Sequence, residues 1–415
     1  MSGLDSTPAA PPPATTPPAS PPPVVRRKSN LGLVFAVVAV LVIVVAGVAV
    51  AYEEHWIGPK PKSGTCGPIT LQANGAQIAG PLVVAWNAAY LSQTGNGVNY
   101  GDAGSGTGIT DFTTASIDFA IADNPLSSAE VAKLPATALT LPVTGSAITI
   151  VYNVPGVSVS THLNLTGPIL AQIWLGNITN WNNASIAAIN PGVTLPDATI
   201  YTVDRAGSAG TTYVFTNFLS AESAYWNKTV SSGLSVSFPS APKQTAQSTN
   251  SALLNIVATT PDTISYSDLT DVKDLNSATL GYAAVENPSG DLVVPTLADT
   301  TSAIADRVAA MSTLPSASAS WYSVSMINAN GAGDYPLATF VYLYVYQATD
   351  KGFAPTLEKS EVLVQWLQWV VSASEGQSYA SGANLYYPSL PTSVLQSDVA
   401  GIATMTYNGA SIPSC

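Results

Sequence analysis

The stretch TIYTVDRAGSAGTTYVFTNFL, residues 199–219, decides the fold class. It opens with a short β-branched and aromatic run, passes through a turn rich in glycine and serine, and ends in a segment with apolar residues at helical spacing. We interpret it as a strand over residues 199–203, a loop over residues 205–211 and a helix over residues 211–219. This order is typical of an α/β unit, in which a strand of a parallel sheet runs into a helix.

The same alternation extends outward in both directions. Further strands are predicted at residues 69–73, 97–100, 116–122 and 147–152, and further helices at residues 81–92, 168–175 and 357–374. No repeat of fixed period is present between residues 66 and 415, which excludes solenoids and propellers. The sequence therefore predicts an α/β fold with a mainly parallel sheet.

The N-terminal part has a different character. Residues 1–30 are rich in proline, alanine and threonine, and we expect a disordered cytoplasmic tail. Residues 31–52 form an uncharged apolar run of about 33 Å as a helix, which is long enough to span a bilayer. The basic cluster before this run predicts a cytoplasmic N-terminus and an extracytoplasmic remainder, joined by a linker over residues 53–65. A cleaved signal peptide, with the A-x-A site at residues 49–51, is the alternative.

Composition excludes several classes of function. The net charge is −12, which argues against a nucleic-acid partner because binding to a phosphate backbone needs a basic face. Only two histidines and two cysteines are present, which argues against a metal cluster or a Cys/His catalytic pair, and we expect no cofactor. Charged residues make up 9% of the chain, so its surface must consist largely of uncharged polar side chains.

Three loops share a design that suits an anion. Residues 74–80, 104–108 and 205–211 each lie between a predicted strand and a helix, and each contains glycine. Unpaired N–H groups and the positive end of the dipole make a helix N-terminus an anion site. Asp123 and Arg205 also follow strands, and ligands of parallel sheets bind beyond the carboxyl ends of strands. Taken alone, each loop is better explained as a tight turn with a helix cap.

The sequence resembles the periplasmic phosphate-binding protein of the high-affinity phosphate ABC importer over residues 69–395. The motifs that carry the resemblance are LTGPILAQIWLGNITNWNN (165–183), INPGVTLP (189–196), VDRAGSAGTTYVF (203–215) and DFAIADNPL (118–126). The resemblance implies a two-lobed periplasmic-binding-protein fold of type II, here preceded by one transmembrane helix. Lobe one is expected at residues 66–146 plus 330–415, and lobe two at residues 147–329.

The resemblance also implies which residues hold the anion, with a serine, an aspartate, an arginine and a Gly-Thr helix start at matching positions. The implied phosphate contacts are Gln77, Ile78, Ser105, Asp123, Arg205, Gly210 and Thr211. Three positions depart from the family. Gln77 stands where the family has threonine, Gly207 where it has aspartate, and Ala209 where it has serine, so that Ser208 could supply a hydroxyl only after a loop shift.

The function that the resemblance implies is capture of inorganic phosphate without chemistry and its delivery to an ABC permease and its ATPase subunits. Asp123 is expected to accept the proton of phosphate, which a fully ionised sulfate lacks. A surface phosphatase or other hydrolase on the same fold, and a structural or adhesive surface protein, are the alternatives. Cys66 and Cys415 bracket the extracytoplasmic part and are candidates for a disulfide, with two unpaired thiols as the alternative.

Overall fold

The computed structural model describes residues 66–380, 382 and 385–414. The predicted cytoplasmic tail (1–30), transmembrane anchor (31–52) and linker (53–65) lie outside these residues. Within the described ranges, no helix combines the length and the apolar character that a membrane crossing requires.

The described residues alternate strands and helices as predicted. The strands are β1 (Thr70–Gly75), β2 (Gly97–Gly101), β3 (Phe119–Ala122), β4 (Ala138–Asn153), β5 (Asn164–Leu165), β6 (Tyr201–Arg205), β7 (Lys243–Gln247), β8 (Thr263–Asp268), β9 (Gly281–Tyr282), β10 (Ala284–Glu286), β11 (Leu292–Val293), β12 (Ala338–Tyr346), β13 (Thr406–Tyr407) and β14 (Ala410–Ser411). The helices are α1 (Gly80–Thr94), α2 (Ser105–Thr113), α3 (Ser128–Val131), α4 (Gly167–Trp174), α5 (Ala184–Ala188), α6 (Gly210–Glu222), α7 (Ala224–Thr229), α8 (Asn250–Thr259), α9 (Leu269–Leu275), α10 (Leu297–Ala309), α11 (Leu357–Val371), α12 (Gly376–Ala380) and α13 (Thr392–Ile402). Short 3₁₀ turns lie at Gln77–Ala79 and Thr349–Lys351.

The main sheet has the strand order β2-β1-β3-β12-β4-β8-β6-β7, with β9 paired to β4. At one end β1 pairs in parallel with β2 and β3, and at the other end β6 pairs in parallel with β7 and β8. Between them, β12 is antiparallel to β3 and β4, and β4 is antiparallel to β8. The prediction of a mainly parallel sheet is therefore wrong for the centre, where long strands run back between the two parallel ends.

Strand β4 belongs to both ends of the sheet. Nine of its first ten residues pair with β12, from Ala138 opposite Tyr346 to Ala147 opposite Ala338, and Val143 is left out at a register shift. Its last six residues pair with β8, from Ile148 opposite Asp268 onward. The sequence predicted only residues 147–152 as strand, because the proline and glycine at positions 142 and 145 interrupt the apolar run. Two α/β lobes joined by crossing strands result, which is a periplasmic-binding-protein-like fold.

Each lobe has its own aromatic core. In the first lobe, helices α1 and α11 meet where Tyr90 packs edge-on against Trp366, with ring centroids 4.9 Å apart. In the second lobe, Phe215 of α6 stacks on Tyr266 of β8 at 4.3 Å, and Trp174 of α4 contacts Phe215 at 4.6 Å. Such pairs add about 0.5–1.5 kcal/mol each beyond the apolar area that they bury. Each core packs against the strands of its own lobe.

The predicted end of lobe two at residue 329 stays a prediction. Ala303 and Ile304 of α10, together with Trp321, belong to the same buried cluster as Phe112 of α2 and Phe340 of β12. This packing favours a return of the chain to lobe one before residue 330.

Candidate functional site: a pocket between the lobes

One small pocket lies where the carboxyl ends of β3 and β6 meet the N-termini of α2 and α6. The structure brings together in it all seven residues predicted to bind the anion: Gln77, Ile78, Ser105, Asp123, Arg205, Gly210 and Thr211. Gly104, Ala209 and Asn250 complete the lining. Asn250 was not predicted.

The wall from lobe one carries a carboxylate. Asp123 follows β3 and is 1% exposed, and the hydroxyl of Ser105, the first residue of α2, donates a hydrogen bond to its Oδ1. Burial raises the pKa of Asp123 to about 6, while the hydrogen bond from Ser105 and the charge of Arg205 work in the opposite direction. Asp123 is thus a buried acceptor that is mostly ionised at neutral pH and becomes a donor in mild acid.

The wall from lobe two carries a guanidinium. Arg205 is the last residue of β6 and is 7% exposed. Its Nη1 donates to Gln77 Oε1 at 3.1 Å and to Asn250 Oδ1, and its Nη2 donates to the carbonyl of Ser248 at 2.9 Å. Burial lowers the pKa of Arg205, an effect that the neighbouring Tyr266, Asp123 and Asp271 oppose.

The charge of Arg205 has no ion-pair partner in the described part of the chain. The ion pairs there are Lys351–Asp350 and Lys359–Asp118, and all the oxygens that accept from the guanidinium belong to neutral groups. Its Nε is buried and makes no hydrogen bond to any described residue. A buried cation with a spare donor is strongly disfavoured unless a ligand supplies the missing negative charge.

Two helix N-termini open onto the same pocket. Helix α2 follows Gly104 and helix α6 follows Ala209, and neither helix has a side-chain cap within the described residues. By contrast, helix α4 is capped by the hydroxyl of Thr166. Thr211 in the first turn of α6 is buried, and its hydroxyl makes no hydrogen bond to the described chain. The first N–H groups of α6 and this hydroxyl are therefore available to an anion, as is the N–H of Ser105 at the start of α2, whereas Gly106 N–H donates to the Ser208 carbonyl.

Glycine is required where the lobes approach each other. A Cβ built on Gly210 would lie 1.3 Å from Asp123 Oδ1, across the pocket. A Cβ on Gly106 would lie 1.8 Å from the hydroxyl of Ser208, and Gly106 N–H donates to the Ser208 carbonyl at 3.4 Å. Ser208 is exposed and does not line the pocket, so it does not replace the serine that is missing at Ala209.

Gln77 plays a part that its position in the sequence did not indicate. It stands where the family has a threonine, and it was predicted to contact the anion. In the structure its Oε1 instead accepts from Arg205 Nη1 and from the backbone N–H of Asn250, both at 3.1 Å. Gln77 thus ties lobe one to lobe two. Ile78 is buried beside it.

Asn250 escaped prediction because the strand before it is polar. Strand β7 has the sequence KQTAQ, which lacks the apolar alternation of a half-buried strand and lies at the edge of the sheet. A signal was present in Thr249, which caps α8 by accepting from the N–H of Ala252. A helix start directly after a strand would have placed Asn250 at the same edge as Arg205.

Histidine lies elsewhere in the described residues. His162 packs on Tyr282 with ring centroids 4.6 Å apart, and its Nδ1 is 2.9 Å from the Tyr282 carbonyl oxygen. It is not part of the pocket lining.

Two α/β lobes that close on a small buried pocket define a solute-binding protein of the periplasmic type. The chain belongs to the PBP superfamily, whose domain model matches residues 59–374, and to the family of the phosphate-binding protein PstS. It is 31% identical over 329 residues to the PstS protein of Xylella fastidiosa, a match that covers 79% of this chain and 83% of that protein. It is 30% identical over 318 residues to the PstS protein of Methanocaldococcus jannaschii, covering 74% and 79%.

Solved structures share the fold. A high-affinity periplasmic phosphate-binding protein, PfluDING, described as bound with phosphate, aligns with a TM-score of 0.62 at 19% identity, covering 83% of this chain and 99% of that one. The phosphate-binding protein from Stenotrophomonas maltophilia aligns with a TM-score of 0.62 at 20% identity, covering 82% and 96%. At such identities the likeness establishes the fold of this chain.

Proposed function

We propose that the chain captures inorganic phosphate in the cleft between its lobes and delivers it to an ABC permease and its ATPase subunits. The relatives at 30–31% identity are named phosphate-binding proteins. The observation that carries the proposal is the buried guanidinium of Arg205, which forms no ion pair with a described carboxylate and which lines the pocket beside two uncapped helix N-termini.

The pocket supplies charge-assisted hydrogen bonds. The donors available to a tetrahedral oxyanion are the Nε of Arg205, the hydroxyl of Thr211, the N–H of Ser105 and the first N–H groups of α6. A bound anion would neutralise Arg205 and satisfy the buried donors at once. Capture of this kind makes and breaks no covalent bond.

Asp123 would separate phosphate from sulfate. At neutral pH its carboxylate can only accept, so it needs a ligand that still carries a proton. Phosphate near neutral pH retains one, whereas sulfate would meet the carboxylate as a second anion and lose the hydrogen bond.

Calorimetric titration of the full-length chain in detergent with phosphate, arsenate and sulfate tests the proposal. We expect phosphate and arsenate to bind with one site per chain at pH 8, and sulfate to bind at least about a hundredfold more weakly. Absence of phosphate binding, or equal affinity for sulfate, would refute the proposal.

We also propose that residues 31–52 anchor the protein as a single-pass helix, with a cytoplasmic N-terminus and an extracytoplasmic binding domain. The support is the uncharged run and the basic residues before it. Mature protein should stay in the membrane fraction and retain its first 51 residues. A mature N-terminus at Tyr52 would show a cleaved signal peptide instead.

A disulfide between Cys66 and Cys415 remains our proposal for the ends of the extracytoplasmic part. Cys66 is buried, and Cys415 lies outside the described residues. An even number of cysteines in an oxidising compartment favours a bridge. Thiol labelling of denatured, unreduced protein should be negligible, and two reactive thiols per chain would contradict the bridge.

A further inference from the structure

Arg205 is hydrogen-bonded to Asn250, and Asn250 to Asp271, two residues that are not among the contacts predicted for the anion. Asn250, the first residue of α8, is 3% exposed. Its Oδ1 accepts from Arg205 Nη1, and its Nδ2 donates to Asp271 Oδ2 at 2.7 Å. Asp271 lies in the first turn of α9, where the helix dipole favours a negative charge. The three side chains thus form a chain of hydrogen bonds that leads from the pocket into lobe two.

The chemistry of Asp271 fixes the orientation of the Asn250 amide. An ionised carboxylate only accepts hydrogen bonds, so the NH₂ group must face Asp271 and the amide oxygen must face Arg205. The reversed amide would place NH₂ against the guanidinium and oxygen against the carboxylate, two repulsive contacts in a buried place. Asn250 can therefore hold the guanidinium only while Asp271 holds Asn250.

This chain of hydrogen bonds, from Arg205 through Asn250 to Asp271, also keeps the Asp271 carboxylate out of direct contact with the guanidinium. The loop after β6 brings no acid to Arg205, because position 207 is an exposed glycine. Asp271 instead reaches Arg205 through a neutral amide, so the guanidinium is oriented without being neutralised by direct contact. An anion in the pocket then meets a guanidinium that no carboxylate contacts directly.

We propose that Asn250 and Asp271 are positioning residues of the anion site, in which Asp271 acts through the Asn250 amide to orient Arg205 toward the ligand. The inference rests on the proposed function. It assigns a role in binding to Asp271, which does not line the pocket.

A double-mutant cycle in the full-length protein tests this relay at pH 8. Phosphate affinity is measured for Asn250→Ala, for Asp271→Leu and for the double variant, with unfolding temperature as the check on folding. We expect each single variant to lose about tenfold in affinity, and the double variant to bind no more weakly than Asn250→Ala. Additive losses would mean that Asp271 does not act through Asn250, and wild-type affinity in Asp271→Leu would overturn its role.

The phosphate affinity of a conservative variant, Asp271→Asn, provides a second test. Asp271→Asn retains an oxygen that can accept from Asn250, so its affinity should stay within about threefold of wild type. A tenfold loss in this variant would overturn the proposal even if Asp271→Leu does not fold. Asn255→Ala and Asp274→Asn change exposed residues of the same two helices and serve as matched controls. A wild-type protein that binds no anion refutes the proposed function and this inference together, whereas binding with additive losses refutes the inference alone.

Discussion

The two walls of the pocket are built alike but carry opposite charges. In each lobe a charged residue lies at or just after the end of a strand, and a glycine-containing loop leads into an uncapped helix N-terminus. The wall from lobe one presents the carboxylate of Asp123, and the wall from lobe two presents the guanidinium of Arg205. The wall from lobe two therefore attracts an anion by its positive charge. The wall from lobe one distinguishes anions by whether they carry a proton that Asp123 can accept. Substitution of Arg205 should therefore lower the affinity for phosphate, whereas substitution of Asp123 should lower the selectivity for phosphate over sulfate.

Loss of the guanidinium should have the largest effect. Arg205→Ala would leave a buried anion without its main charge partner, at a cost of about 2–5 kcal/mol, or roughly 30-fold to several thousand-fold in phosphate affinity. Arg205→Lys should recover only part, because a point charge cannot reproduce the guanidinium fork that Gln77 and Asn250 hold. Calorimetric titration checks both variants, and unchanged affinity in Arg205→Ala would remove the site assignment.

Blocking the approach of the walls should come next. In Gly210→Ala the new methyl group would overlap the carboxylate of Asp123, so the cleft must stay partly open. We expect a cost of about 1–3 kcal/mol, or roughly 5- to 150-fold in phosphate affinity. Gly80→Ala is the matched control, because its Cβ would meet Asp102 at an ordinary 3.8 Å. Equal titration curves for both variants would show that Gly210 is not at a point of closure.

Changing the carboxylate should alter selectivity more than strength. Asp123→Asn removes the repulsion toward an anion without a proton, so the preference for phosphate over sulfate should shrink by about tenfold at pH 8. Because burial raises the pKa of Asp123 to about 6, wild-type protein should also gain sulfate affinity as the pH falls below 6, and the variant should not. Competition titrations at pH 8 and pH 5 measure both effects. Equal losses for both anions would reduce Asp123 to a turn residue.

The smallest effect concerns Asp204, which precedes Arg205 but turns away from the anion. It is buried, accepts from the indole of Trp174 and the amide of Gln244, and has a pKa raised to about 6 by burial. Since a raised pKa means that the folded state binds the proton more tightly, stability should rise as the pH falls through 6. Asp204→Asn should remove about 1 kcal/mol of the difference in unfolding free energy between pH 7.5 and pH 5.

Urea unfolding at the two pH values measures this difference, and phosphate affinity serves as the internal comparison. An unaltered pH dependence in Asp204→Asn would contradict the assignment. A large loss of affinity would show that the carboxyl groups of both walls take part in binding.

The sequence was informative where local chemistry dominates. The strand, loop and helix from residue 199 to residue 219 were predictable because β-branched residues, glycines and apolar spacing all agree there. Arg205 and Asp123 could be placed together because both follow strands of one sheet edge. The role of Gln77 could not be predicted, because the two donors that its Oε1 accepts from belong to the other lobe, 128 and 173 residues away in the chain.

The full length of β4 at the centre of the sheet could not be predicted from the sequence for a related reason. Strand β4 continues through Pro142, a residue that lacks an N–H and normally ends an interior strand. The structure accommodates it at a register shift between Val341 and Tyr342 of β12, where the pairing is irregular. The extent of β4 thus depends on its partner strand. Asn250 was missed for the opposite reason, since the strand before it is polar and exposed at an edge.

The shared strand β4 has a consequence for how the protein unfolds. Leu139, Leu141 and Val143 belong to the core of the first lobe, and Ile148 and Ile150 belong to the core of the second. Unfolding of either core would remove the packing from one part of β4. Because β4 also pairs with β12 and β8, the backbone hydrogen bonds of the other lobe would then be exposed to water. The lobes therefore lack independent melting points. In a calorimeter, the residues from Cys66 onward should lose their structure as one cooperative unit, with a van't Hoff enthalpy equal to the calorimetric enthalpy.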